Sequence, residues 1–534
     1  MTKKIISMLC ALAMVLMLAA CATTPASSAA PTPTSSAEAS SAPEKKDPVK
    51  LVLWFENGVG EQEYTKQVAS KLNDLLAKIE GYEHITFELH PVKAMKTGFP
   101  LAQASQLQMD LVSTSALNIS TEIENGSFLA IDDYLAKYPE ITAELPEWLV
   151  GLGQTDGKTY FIPNQQQAAN QYYFVAPKQY VEYSGYTVDQ IRETLQKGTV
   201  DQKFEMFEKF VLNTRKETGK NTKWASAGLS GRKVYVNPSN ELATISWDDV
   251  LYWDTNTQKI AYANTNDDVV KSYTKSGEFY VKGYLHPDVA TLDTKNLVGQ
   301  NFLNDESLVF NWAQDIGTDE FISNKLTNAY GMDIVAVSVS DHAFVPNSWG
   351  AGGVGVSSTC KNPEEAVAAL ALLENSKYAE FYNTLCYSLE GKHYEWVDKS
   401  ANTIKTLEFD GSQGNAECSY TCYKWTVGNT FNAWMNQSMN KELQDYIKND
   451  INNGKDTEAS PLIGLMFKTA NVETEISQVA AVSKEYLKTL GNGIKGNDAA
   501  AYYEEYKKQL DAAGLNKILD ELNKQASDFL ASKK

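Results

Sequence analysis

The sequence predicts an α/β protein built as two lobes, and three observations carry that reading. From Val49 onward strand, helix and strand alternate, the pattern of a parallel sheet covered by helices. A chain of 534 residues is too long for one compact core. Hydrophobic residues make up 43% of it, an ordinary fraction for a globular body.

The elements follow in order. Val49–Phe55 (VKLVLWF) starts just after Pro48 and is rich in β-branched and aromatic residues, so it predicts a strand. Gly58 and Gly60 make the turn. Tyr64–Ile79 has helical period, with Val68, Leu72, Leu75, Leu76 and Ile79 on one stripe. Ile85–His90 is a second strand, residues 98–107 a helix and Leu111–Ser113 a third strand. Asp156-Gly157 turns the chain into a strand at Lys158–Ile162, which Pro163 ends. Tyr172–Val175 is a further strand and residues 187–220 are helical. Trp247–Ala263 is strand-like, residues 266–283 helical and Leu303–Trp312 a strand. Asn362-Pro363-Glu364-Glu365 predicts a capped start for the helix Ala366–Glu374, with Glu365 completing a capping box. The C-terminal part is mostly helical, with Gly514 as a stop.

The chain start predicts export. Lys3 and Lys4 precede an apolar run, Ile5–Leu18, that is too short for a comfortable membrane span. Leu18-Ala19-Ala20-Cys21 resembles a lipobox, which implies that residues 1–20 are a signal peptide cut before Cys21 and that the Cys21 thiol carries a diacylglyceryl group. A diacyl group meets the two-signal requirement for stable anchoring. Residues 21–48, mostly Ala, Ser, Thr and Pro, form a disordered tether. Formal net charge is −19, which argues against nucleic acid as a partner and against adhesion to an anionic membrane. Membrane attachment therefore rests on the lipid. Cys360, Cys386, Cys418 and Cys422 are too few to staple so large a body, and their state stays open.

Several motifs fail on context. Gly350–Gly355 fits G-x-G-x-x-G by letter but precedes a strand-like run instead of opening a helix. Asp254–Gln258 begins like an EF-hand loop but lacks the required glycine, and position twelve is Thr265. No cofactor is expected, while a structural calcium ion of other geometry stays open. The histidines show no zinc spacing, and there is no G-x-S-x-G elbow.

Four passages carry a family resemblance: residues 125–135 with 156–163, 253–288, 353–374 continuing to 388–397, and SPLIGLMF (460–467) with the helical sequence after it. In this order they resemble the extracellular solute-binding lipoproteins of carbohydrate ABC importers, in the subgroup with an extra C-terminal helical domain. Cys360 and Ser388-Leu389 depart from the family pattern. The resemblance implies a type 2 periplasmic-binding-protein fold, with two lobes, a hinge and a ligand cleft. Lobe one would comprise residues 49–163 and about 345–395; lobe two, residues 164–344 and about 396–534 including the helical extension. It further implies a monomer that delivers a carbohydrate ligand to the permease subunits of an ABC transporter, and no enzyme.

A sugar needs aromatic plates for its C–H faces and carboxylates or amides for its hydroxyl rim. Cleft residues come from strand ends and the loops after them. That filter selects Trp54 and Glu56 after the first strand, Asp110 beside the third, Gln165 after the hinge strand, Trp312 and Trp349. The resemblance adds weight to Trp312 and brings in Trp425 and Asn429 of KWTVGNTF. Trp148, Trp247, Trp253 and Trp434 are assigned to packing. Two rival readings remain: an exported glycoside hydrolase, which needs two carboxylates about 5–10 Å apart, and a sugar-sensing or adhesive surface lipoprotein.

Overall fold

Strand β1 (Val49–Glu56) forms where the sequence predicts it, and five consecutive residues, Leu51–Phe55, are buried. Such a run marks a central strand covered on both faces. The computed structural model describes residues 46–534 apart from 225–231, 237–240, 247–248, 293–306, 309–310, 346–351, 410–416, 437–438, 456 and 533–534. The expected signal peptide, the expected lipid site Cys21 and nearly all of the expected tether lie outside the described residues, as do Trp247 and Trp349.

After β1 come α1 (Thr65–Leu76), β2 (Ile85–Val92), α2 (Met95–Ala104), β3 (Leu111–Ser113), α3 (Ile119–Glu124) and β4 (Phe161–Pro163). The α1 stripe buries Val68, Leu72 and Leu76. Next are β5 (Gln171–Pro177), α4 (Val188–Lys197), α5 (Val200–Thr218), β6 (Glu241–Ser246), β7 (Asp249–Asp254), β8 (Lys259–Tyr262) and α6 (Asp267–Val281). Then come β9 (Asn311–Asp315), α7 (Asp319–Tyr330), β10 (Ile334–Ser338), β11 (Ala343–Val345), β12 (Gly353–Val356), α8 (Pro363–Glu374) and α9 (Ala379–Tyr387). The chain ends with α10 (Lys441–Asn449), β13 (Thr457–Ala459), α11 (Glu473–Gly491), α12 (Ala499–Ala512) and α13 (Leu515–Ser532).

Lobe one is built on a five-stranded sheet of order β2-β1-β3-β12-β4. β1 runs parallel to β2 and β3, whereas β12 is antiparallel to β3 and β4. Lobe two centres on the antiparallel sheet β9-β5-β10. Phe204, Phe207 and Phe210 of α5 fill its core with Phe174 of β5. A third cluster joins the sheet β8-β7-β6 to the C-terminal helices through Tyr262, Val479, Tyr506, Ile518 and Leu522. Helix α6 belongs to both: Phe279 packs in lobe two, and Val269 and Tyr273 pack with the helical domain.

Three stretches cross between the lobes. Asn170 exchanges backbone hydrogen bonds with Phe344 (2.8 and 2.7 Å). β11 pairs in parallel with β13. The hinge is therefore three adjacent extended segments, after β4, before β12 and after α10.

Two local expectations change. Asn362 makes no side-chain cap on α8, although Pro363 does start the helix. The segment expected in lobe two after residue 395 starts instead on lobe one. Ile404, Tyr420, Cys422, Val427, Leu443, Ile447 and Ile451 all belong to the buried cluster that contains Leu51, Leu53 and Phe55 of β1. Lobe one thus reclaims the chain up to about Ile451, and only the residues beyond β13 join the helical domain.

Candidate ligand-binding site

The carboxyl ends of β1 and β3, the first residues after β4 and the segment 423–426 meet at one edge of lobe one. A set of hydrogen bonds to three successive carbonyls brings them together. Tyr382 Oη donates to the Lys424 oxygen (2.7 Å), Asn164 Nδ2 to that of Trp425 (3.0 Å) and Ser113 Oγ to that of Thr426 (2.8 Å). With its backbone pinned, Trp425 projects a ring that is 41% exposed. That is unusual for an indole on a rigid base, and it offers a plate to an apolar ring face. Tyr423 lies beside it, ring centroids 5.4 Å apart. Burial, with the Cys418 thiol and the Glu56 carboxylate nearby, pushes the Tyr423 phenol above its usual range, so it stays a donor.

Polar groups flank the plate. Glu56 ends β1; its Oε2 accepts from the Met95 amide at the start of α2 (2.6 Å). Asn164 is 1% exposed, its amide donates to the Gly352 oxygen (3.0 Å), and its Oδ1 has no partner among the described residues. Gln165 is also buried, with Oε1 unpartnered, while its carbonyl accepts from the Thr430 amide and hydroxyl. Two buried amide oxygens without donors cost stability unless something completes them. Ser115 Oγ lies close to Gly352, where a Cβ would approach to 2.9 Å.

The other expected residues separate. Trp54 is buried under α2, stacked on His90 with centroids 3.9 Å apart and packed with Met95 and Phe99. Its Nε1 is unpartnered among the described residues, but the ring is part of the lobe-one core. Asp110 is fully buried: Oδ2 accepts from the Val52 amide and the Gln108 side chain (both 2.8 Å), and Oδ1 from the Lys361 amide (3.3 Å). It staples β1 and β3 to the turn before α8. Asn429 is fully buried as well. It accepts from the Phe431 amide (3.0 Å) and donates to the Glu374 carbonyl (3.1 Å), so it caps a turn and holds the end of α8. For both, internal bonds take up the groups that a ligand would need. Trp312 lies in β9, its backbone paired with Phe174. Among the packing tryptophans, Trp253 is buried and Trp148 is 44% exposed.

Sequence reasoning misses Tyr423, Asn164, Ser113 and Ser115. Their one signal is position, at strand ends or beside a selected residue. The Asp254 carboxylate accepts from the Asn256 amide (2.9 Å) and Thr257 hydroxyl (2.8 Å), closing the β7–β8 turn. Among the described residues no group of His, Cys, Asp and Glu is arranged to hold a metal ion. A separate concavity of about 1210 Å³ opens on lobe one, lined by Trp396, Phe431, Trp434, Lys441 and Asp445 among others, away from these strand ends.

Residues 461–531 match the family model described as a domain of unknown function, DUF3502. A carbohydrate ABC transporter substrate-binding protein of Streptococcus pneumoniae is 27% identical over 260 residues, covering 48% of this chain. The chain spans about half the length of that curated relative. Among solved structures, the N-glycan transport solute binding protein NgtS of S. pneumoniae aligns with a TM-score of 0.67 at 19% identity, covering 92% of this chain and all of that one. FusA of S. pneumoniae, solved with kestose, aligns at 0.57 and 13% identity over 91% of this chain and all of its own. An extracellular solute-binding protein of Bifidobacterium longum subsp. infantis aligns at 0.53 and 13% identity, over 90% of this chain and 98% of its own. The chain therefore has the two-lobe fold of the solute-binding proteins and resembles those that serve carbohydrate ABC transporters.

Proposed function

We propose that this protein is a sugar-binding receptor that holds a mono- or oligosaccharide between its lobes and passes it to an ABC permease. The observation that carries the proposal is the exposed Trp425 ring on a pinned backbone, beside Glu56, Tyr423 and the unpartnered amide oxygen of Asn164. An aromatic plate ringed by acceptors and a phenol donor suits a pyranose, whose faces are apolar and whose rim is hydroxyl. Gln165, Trp349 and Trp312, the last on β9 of lobe two, complete the proposed set. Binding, without bond cleavage, is the mechanism: the sugar touches both lobes only when they close, so it shifts the population toward the closed form.

In this reading the protein lies outside the cytoplasmic membrane, tethered through a lipid on Cys21 and acting as a monomer. Among the described residues no helix is long and apolar enough to cross a membrane. NgtS has been solved with Man1GlcNAc and Man5GlcNAc and FusA with kestose, so mannose–GlcNAc and fructose oligosaccharides head the panel of candidates. A thermal-shift screen of glycans tests the reading, since a ligand that binds only the native state must raise the melting temperature. At least one glycan is expected to do so without being cleaved. Turnover of that glycan would favour the hydrolase, and no shift with any saccharide would remove the substrate class.

A further inference from the structure

The segment Leu462–Thr469, at the start of the DUF3502 match, lies between lobe one and the helical domain and divides its side chains between them. Leu462, Leu465 and Phe467 pack into the cluster of β6–β8 and the C-terminal helices. Ile463 packs against the core of lobe one, and Met466 against the Trp54, Met95 and Phe99 cluster on its other face. Gly464, at φ +84°, makes the bend; a side chain there would be strained and would meet Leu152 of lobe one at 3.1 Å.

The polar contacts divide in the same way. Gln525 of α13 grips the Lys468 backbone at both ends: the Lys468 amide donates to Oε1 (2.9 Å), and Nε2 donates to the Lys468 carbonyl (2.8 Å). The Lys468 ammonium then reaches Glu124 at the end of α3 (3.1 Å). Asn118, just before α3, donates from Nδ2 to the Thr469 hydroxyl (3.2 Å). The segment comes directly after β13, the third strand of the hinge.

We infer that Leu462–Thr469 is a strap that ties the helical domain to lobe one and limits how far the lobes part, giving this domain a part in ligand capture. Rotation about the hinge that separates α3 from α13 must break the Lys468–Glu124 and Asn118–Thr469 contacts and expose Ile463 and Met466. The anchors on the helical side remain in place because Leu462, Leu465, Phe467 and Gln525 belong to one body. A strap of this kind narrows the open ensemble. It thereby raises the fraction of molecules poised to close, and apparent affinity scales with that fraction.

The test uses the full chain with spin labels at Lys66→Cys on α1 and Lys216→Cys on α5. Both positions are exposed surface lysines, at 87% and 80% side-chain exposure. Without ligand, the variant Ile463→Ser, Met466→Ser, Lys468→Ser is expected to lengthen and broaden the interlobe distance distribution. Affinity for a glycan found by the thermal-shift screen is expected to fall about tenfold, or roughly 1.4 kcal/mol. An unchanged or shortened distance overturns the strap, even if the melting temperature falls. Should the triple variant fail to fold, Lys468→Glu alone is expected to lengthen the distance and Glu124→Lys added to it to restore it. No difference between those two proteins overturns the inference equally. The affinity arm rests on the sugar-binding reading and the distance arm does not, so the two failures are distinguishable.

Discussion

Two segments run along lobe one, 423–433 and 462–469, and they are held in opposite ways. The first is tied to lobe one at nearly every residue. Tyr382, Asn164 and Ser113 hold carbonyls 424 to 426, and Asn429 bonds the end of α8. Between them Gly428, at φ +70°, would place a Cβ 2.5 Å from the Leu373 carbonyl oxygen, so only glycine fits. The second segment is shared between two bodies, with a few contacts to each. In the proposed receptor, a wall that presents Trp425 to a ligand must not move against its lobe. A strap that senses lobe separation must have one foot on each side. Rigidity and compliance are thus assigned to different segments of one fold.

Substitutions can break this contrast, starting with the largest effect. Asp110→Ala removes a buried carboxylate that holds two backbone amides and a glutamine. It should cost about 3 kcal/mol or more of stability, measured by urea unfolding, because the amides are left unpaired in the core. A loss near zero would restore Asp110 as a ligand contact. Asn429→Ala should cost about 2 kcal/mol by the same measurement, through one lost acceptor and one lost donor. Trp425→Ala should cost about 1 kcal/mol of stability, less than either buried polar residue, since the ring is only partly covered. It should nevertheless weaken binding of the screened glycan about tenfold by calorimetry. The reverse pattern would make Trp425 a packing residue.

The smallest effect concerns the upstream anchor of the same segment. Glu408 accepts from the Ser419 amide and hydroxyl (2.8 and 2.6 Å) and faces Lys392 at 3.0 Å. Partial burial pushes its carboxyl up, but the Ser419 bonds and the Lys392 ammonium outweigh that and bring it down to about 2, from 4.5. A folded-state value below the unfolded one means stability that is present above pH 4.5 and lost as pH falls toward 2. Glu408→Gln should therefore destabilise the protein modestly at pH 7 and progressively less as pH falls toward 2, as read from melting temperatures across pH.

Much of lobe one was legible in the sequence. β1 follows from its run of β-branched and aromatic residues and α1 from its helical stripe, because a strand buried on both faces and a striped helix leave strong local patterns. The reach of lobe one to Ile451 was not legible, because Tyr420, Val427 and Leu443 join the β1 core only through long-range packing, which leaves no periodicity. Residue type misled at the site for a related reason. Asp110 and Asn429 have the chemistry of ligand contacts, but their partners are backbone groups of distant segments. Glu374 shows the same limit: at the end of α8 it is fully buried, and desolvation holds its carboxyl well above the usual range. Trp425 was selected through the family resemblance; its exposure on a pinned backbone emerged only with the fold.

The measurement that tests the central claim most directly is small-angle scattering of the full chain with and without a glycan that raises its melting temperature. Capture between two lobes predicts a smaller radius of gyration on saturation, with the glycan recovered intact. An unchanged radius at saturating glycan, or a cleaved product, would contradict it.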